Sequence, residues 1–127
     1  LAAADGAARA ATWFPALGRL MGRRAGLLSG GEQQILAMAR ALAARPRLLL
    51  VDEMSLGLAP VIVDELAHVV RSVADEEGVA VVLVEQHVPV ALRVADRALV
   101  LRHGDAVFAG PASELRERPD VLVGSYL

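Results

Sequence analysis

Leu48-Leu49-Leu50-Val51-Asp52-Glu53 sets four consecutive apolar residues against two adjacent carboxylates, and the rest of the chain takes its meaning from this stretch. Such a run reads as a strand buried on both faces, the habit of parallel sheets covered by helices. Acids at its carboxyl end lie where open α/β sheets bind ligands. There one carboxylate can hold a divalent metal while a second polarises water. A strand that merely ends in a polar turn has the same pattern, so the neighbouring sequence has to decide.

Downstream, Met54-Ser55-Leu56-Gly57-Leu58-Ala59-Pro60 reads as a loop by its glycine and proline. A helix follows, with Ile62, Leu66, Val69, Val70 and Val73 on one face, Asp64 and Glu65 in its first turns and Gly78 in the C-cap position. A second apolar run, Val79 to Val84, ends in Glu85-Gln86-His87. Strand, helix and strand in that order predict a right-handed βαβ unit. Pro89 suits the first turn of a short helix to about Ala95. Ala98 to Leu101 and Ala106 to Ala109 flank Arg102-His103-Gly104-Asp105 as a β-hairpin, and Pro111, Ser113 and Glu114 open a small helix. The C-terminal end carries no clear signal.

Upstream, residues 1 to 12 are alanine-rich with scattered polar residues, and Trp13-Phe14-Pro15 with Leu17, Leu20 and Met21 predicts a short helix with one apolar face. Leu28-Ser29-Gly30-Gly31-Glu32-Gln33-Gln34 is a loop feeding a helix marked by Ile35, Met38, Ala39 and Leu42, which stops before Pro46. Ser29 and Glu32 have the spacing of a capping box. Two glycines at a helix start also let backbone approach a phosphate closely, with N–H groups and a positive dipole behind it. Both readings stand together.

The 127 residues, 55% of them hydrophobic with a net charge of −2, suit one folded domain or a piece of a larger one. Charges are interspersed and there is no basic excess, so nothing points to nucleic acid. Cysteine is absent, which removes disulfides and thiolate metal sites. No apolar run nears the roughly 20 residues of a membrane span, and the first 20 residues lack the order of a signal peptide. Every basic residue is arginine. Without lysine these residues cannot contain the phosphate loop G-x-x-x-x-G-K-[ST]. The start at Leu1, inside an alanine-rich stretch, suggests a truncated portion of a longer protein.

Leu28 to Gln34, Leu48 to Glu53 and His87 follow one another at short spacings and resemble the signature motif, Walker B strand and switch histidine of ABC-transporter ATPases. Ser55-Leu56-Gly57-Leu58-Ala59-Pro60 with Val84-Glu85-Gln86-His87 looks more narrowly like the branched-chain amino acid importer group. Met54 stands where that family usually has proline, and Leu58 where many members have an aspartate. The resemblance implies an α/β fold: a partial P-loop NTPase sheet of the ABC ATPase type, with part of the helical subdomain and a C-terminal β-hairpin. Residues 1–45 would be helical subdomain and signature helix, and 46–127 catalytic core without the phosphate loop.

In function, the resemblance implies an ATP-binding and hydrolysing importer subunit whose cofactors are ATP and Mg²⁺. Asp52 would hold Mg²⁺, Glu53 would orient and polarise the attacking water, and His87 would contact the γ-phosphate. Ser29, Gly30, Gly31 and Gln33 would bind ATP held by a second ATPase subunit, identical or different. A transmembrane permease would be the other partner, at the cytoplasmic face of the cell membrane. The fragment alone would be inactive. Two other readings share parts of the pattern: a fragment of a DNA-repair or chromosome-maintenance ATPase, and a non-catalytic α/β binding module. His68 and His103 read as solvated surface.

Overall fold

Alanine is the strongest helix former, and the alanine-rich start folds accordingly: in the computed structural model, which describes residues 2–123, α1 spans Ala2–Trp13. This is a helix that apolar periodicity does not announce, because alanine marks no face. Pro15 opens α2 (Pro15–Leu20), with Phe14 fully buried just before it. A 3₁₀ turn over Ala25–Leu27 leads to α3 (Gly30–Ala43). This helix begins five residues ahead of its first buried apolar residue, Ile35, because the Ser29 cap and not the apolar pattern sets its start. α1 packs on α3, and a Cβ on Gly6 would sit 3.6 Å from that of Ala43, so small residues line the contact. After α3 the chain turns through Arg45 at φ 53 into β1 (Leu48–Asp52), α4 (Pro60–Glu77) and β2 (Ala80–Val84). This first compact unit ends at Glu85, and a second begins at Gln86.

β1 and β2 pair in parallel, Leu48 opposite Ala80 through Asp52 opposite Val84, as the βαβ pattern predicts. α4 packs against β2 and buries Val63, Leu66, Val70 and Val73. The expectation that β1 is buried on both faces fails. Leu49 and Val51 are buried, whereas Leu48 and Leu50 are 52% and 71% exposed and Val82 and Val84 on the same face are 52% and 58% exposed. In a parallel pair residues directly opposite share a face, so these four form one wet apolar strip. Among the described residues β2 has no strand partner besides β1.

In the second unit α5 (Val88–Val94) precedes the antiparallel hairpin of β3 (Arg97–Arg102) and β4 (Asp105–Pro111). His103 and Gly104 both have positive φ, 52° and 91°, as a two-residue turn matching strand twist requires. α6 (Ala112–Arg116) packs on both strands, with the Ala112 N–H donating to the Asp96 carbonyl. A short α7 (Pro119–Val123) follows, where the sequence carries no clear signal. No helix among the described residues is long and apolar enough to cross a membrane.

Gly78 closes α4 at φ 66, with its N–H and that of Val79 directed to the Val73 carbonyl. A Cβ there would meet no neighbouring atom, so only the backbone conformation opposes a side chain. Gly78→Ala should therefore lower stability by about 1 kcal/mol, read as a shift of the denaturation midpoint of the complete protein.

Candidate functional site

The site is built at the carboxyl end of β1. Asp52 is the last ladder residue and is exposed. Glu53 follows with φ 48, a left-handed conformation uncommon outside glycine. The ladder continues one bond past its last pair, as the Glu53 N–H donates to the Val84 carbonyl at 2.8 Å. From there the backbone turns sharply: the Leu56 N–H donates to the Glu53 carbonyl at 3.2 Å and the Leu58 N–H to that of Ser55 at 3.3 Å. Gly57 takes φ 70. Met54 is fully buried and anchors this turn in the core, where a proline would have stiffened it instead. Glu53 itself is half-buried. Two adjacent carboxylates thus stand at one strand end, one open to water and one held against the protein.

A single exposed carboxylate matches the chemistry of Mg²⁺, which keeps several waters and takes one or two protein oxygens beside phosphate. Among the described residues no cluster of three or more histidines or acids forms a self-sufficient metal cage. Such a site would suit an ion arriving with a phosphate ligand.

At the start of α3 the capping box is present in full. The Ser29 hydroxyl accepts from the Glu32 N–H at 3.3 Å, and the Glu32 carboxylate accepts from the Ser29 N–H at 2.8 Å. The Gln33 side chain donates to the Leu28 carbonyl at 3.1 Å and draws the preceding loop onto the helix. Helix geometry gives the N–H groups of Gly30 and Gly31 no intrahelical acceptor. A Cβ on Gly30 would enter open space, so packing does not require glycine there; this is the space a phosphate oxygen needs for close approach. Gly31 differs, since a Cβ would lie 3.2 Å from Cγ1 of Ile62 on α4.

Bonding to Ser29, first through its backbone and then its side chain, holds the Glu32 carboxyl below its ordinary value, with a lesser pull from Arg23. A lowered acid stabilises the fold above its unfolded value near 4.5, and that contribution is lost as pH falls through the folded value. A thermal-melting comparison with Glu32→Gln in the complete protein should show a wild-type advantage at neutral pH that is lost as pH falls below the unfolded value of 4.5 and through the lower folded one.

His87 lies in the second unit, exposed, and caps the N-terminus of α5 without a side-chain cap bond. His68 and His103 are exposed, in line with their reading as surface. Glu85 is a residue to which sequence reasoning assigned no role: it is half-buried, and its Oε1 accepts the Ser55 N–H at 3.1 Å. An acid directly following the strand that pairs with β1 was the available signal. A separate cavity of about 460 Å³ in the α1–α3 layer, walled by Ala10, Leu17, Leu36 and Ala39 among others, contains no acid and none of the candidate residues.

Residues 3–55 match the family model for ABC transporters. Among solved structures, an ATP-binding cassette of an ABC transporter in its ADP conformation superposes with a TM-score of 0.83 at 23% identity, over 98% of this chain and 49% of that one. A dimeric post-hydrolysis cassette bound to ADP and Pi gives 0.63 at 30% identity, over 68% of this chain and 37% of that one. The fold is part of an ABC ATPase domain, and the chain belongs to the ABC transporter ATP-binding family.

Within that family it is most like branched-chain amino acid transport proteins. It is 47% identical over 108 residues to the high-affinity branched-chain amino acid transport ATP-binding protein BraG of Pseudomonas aeruginosa, covering 85% of this chain and 46% of BraG. The phosphonates import ATP-binding protein PhnC of Thiobacillus denitrificans is 42% identical over 92 residues, covering 72% of this chain and 36% of PhnC. The chain thus spans about half the length of its relatives or less.

Proposed function

We propose that the complete protein is the ATP-hydrolysing subunit of an ABC importer for branched-chain amino acids, and that these 127 residues are the C-terminal portion of its ATPase domain. The observation that carries this reading is the 47% identity to BraG, joined to paired carboxylates at the end of a parallel strand. The phosphonates and methionine import relatives are less similar than BraG, at 42% and 37% identity, while the branched-chain relatives LivF, BraF and LivG stand at 40%, 33% and 31%.

In this reading residues 1–45 are helical subdomain and signature helix, and 46–127 belong to the catalytic core. Asp52 would hold Mg²⁺ through its exposed carboxylate, and such an ion would supply positive charge against the phosphate oxygens of the nucleotide. Glu53 accepts a hydrogen bond from the attacking water and draws on its proton. His87 donates a hydrogen bond to the γ-phosphate, which imidazole does in either protonation state. Ser29, Gly30, Gly31 and Gln33 bind ATP held by a second ATPase subunit, the first three at its γ-phosphate. The partners are that subunit and a membrane permease, with the protein peripheral on the cytoplasmic face and no nucleic acid involved.

The test is reconstitution of the complete protein with a membrane permease of the branched-chain amino acid importer type. Leucine, isoleucine or valine with their binding protein should stimulate ATP-dependent uptake into vesicles. Stimulation by a phosphonate or methionine instead would replace the substrate while leaving the ATPase assignment intact. ATP turnover indifferent to any permease would overturn the transport role.

A further inference from the structure

We propose that Glu85 is a positioning residue for the Glu53 carboxylate, acting through the backbone amide of Ser55. The inference rests on the ATPase reading of Glu53. The β1–β2 ladder ends at Asp52 and Val84. Beyond it Glu53 adopts φ 48, a conformation that persists in a non-glycine residue only when its surroundings over-determine it. The restraints are visible. Glu53 N–H is tied to the Val84 carbonyl at 2.8 Å, its own carbonyl accepts from Leu56 at 3.2 Å, and Met54 is sealed in the core.

The next donor at ladder spacing, the Ser55 N–H two residues on, lies past the end of β2 at Val84. The Glu85 side chain reaches across instead and accepts it at 3.1 Å, linking residues thirty apart in sequence. A carboxylate is a stronger acceptor for a backbone N–H than a neutral carbonyl. The turn carrying Glu53 is thereby fastened on its far side to the strand that fastens its near side. A displacement of about 1 Å in a reacting group is enough to cost a large factor in rate, so the contact bears on turnover more than on nucleotide affinity.

The complete protein would be compared as wild type, Glu85→Gln, which keeps a carbonyl oxygen as acceptor, and Glu85→Ala, which has none. Glu85→Ala should lower kcat about tenfold or more with KM for ATP little changed. Glu85→Gln should stay within about threefold of wild type. Hydrogen exchange at the Ser55 amide should quicken in Glu85→Ala alone, with a shifted Glu53 side-chain resonance. If Glu85→Ala does not fold, Glu85→Leu keeps the bulk without the acceptor and takes its place. A kcat unchanged in the alanine or leucine variant, equal damage from glutamine, or a raised KM at constant kcat would overturn the proposal. Exchange and resonance need no turnover. An inactive wild type would sink the ATPase reading, while a released Ser55 amide with a displaced Glu53 signal would still support the contact, and an unmoved pair would sink it.

Discussion

Glu53→Gln in the complete protein is expected to retain ATP binding and lose turnover by roughly 10²- to 10⁴-fold, the range that a positioned general base contributes. The substitution preserves the side chain's length and shape, so the turn that holds Glu53 by its backbone, through Val84 and Leu56, has no reason to rearrange. It leaves Asp52 untouched. What disappears is a charged acceptor for the water proton. Phosphate release and equilibrium nucleotide binding, measured side by side, separate the two effects. Weakened binding with turnover preserved would reverse the roles given to Asp52 and Glu53.

The isolated 127-residue chain is expected to show no ATP turnover above background and to self-associate. It contains no lysine and so no phosphate loop to set a γ-phosphate against Glu53. Leu48, Leu50, Val82 and Val84 form an apolar strip open to water on a two-stranded parallel sheet. Such small sheets are marginal by themselves, and unpaired edges attract other chains. Light scattering that rises with concentration, and a broad melting transition, are the expected signs. Turnover abolished by Glu53→Gln in this fragment, or a monomer melting sharply, would refute the expectation.

The parts of the fold legible in the sequence are those written in local chemistry. Ser29 and Glu32 stand at capping-box spacing and form that box. Gly78 is where a left-handed cap is needed, and His103-Gly104 closes the hairpin. The apolar runs gave the parallel pairing of β1 and β2. What could not be read depends on partners far along the chain or on cover from outside it. α1 escaped because alanine supplies propensity without periodicity. Burial of β1 was overestimated because an apolar residue records an appetite for cover, and Leu50 is uncovered here. At the candidate site, residue types and order were legible. The left-handed backbone of Glu53 and the reach of Glu85 to Ser55 were not, since neither follows from the identity of adjacent residues.

The gap left by a missing side chain at Gly31 has a mechanical meaning. The nearest atom to a Cβ there would be Cγ1 of Ile62, at 3.2 Å, and Ile62 lies two residues past Pro60, where α4 leaves the turn that follows Glu53. The mouth of α3 and the root of α4 therefore lie too close for a methyl group to be added freely. If α3 faces a nucleotide on a neighbouring subunit while the turn serves the chain's own, this glycine acts as a gauge between the two workplaces. A methyl group there would oblige the Ile62 side chain to give by a few tenths of an ångström before it altered any chemistry.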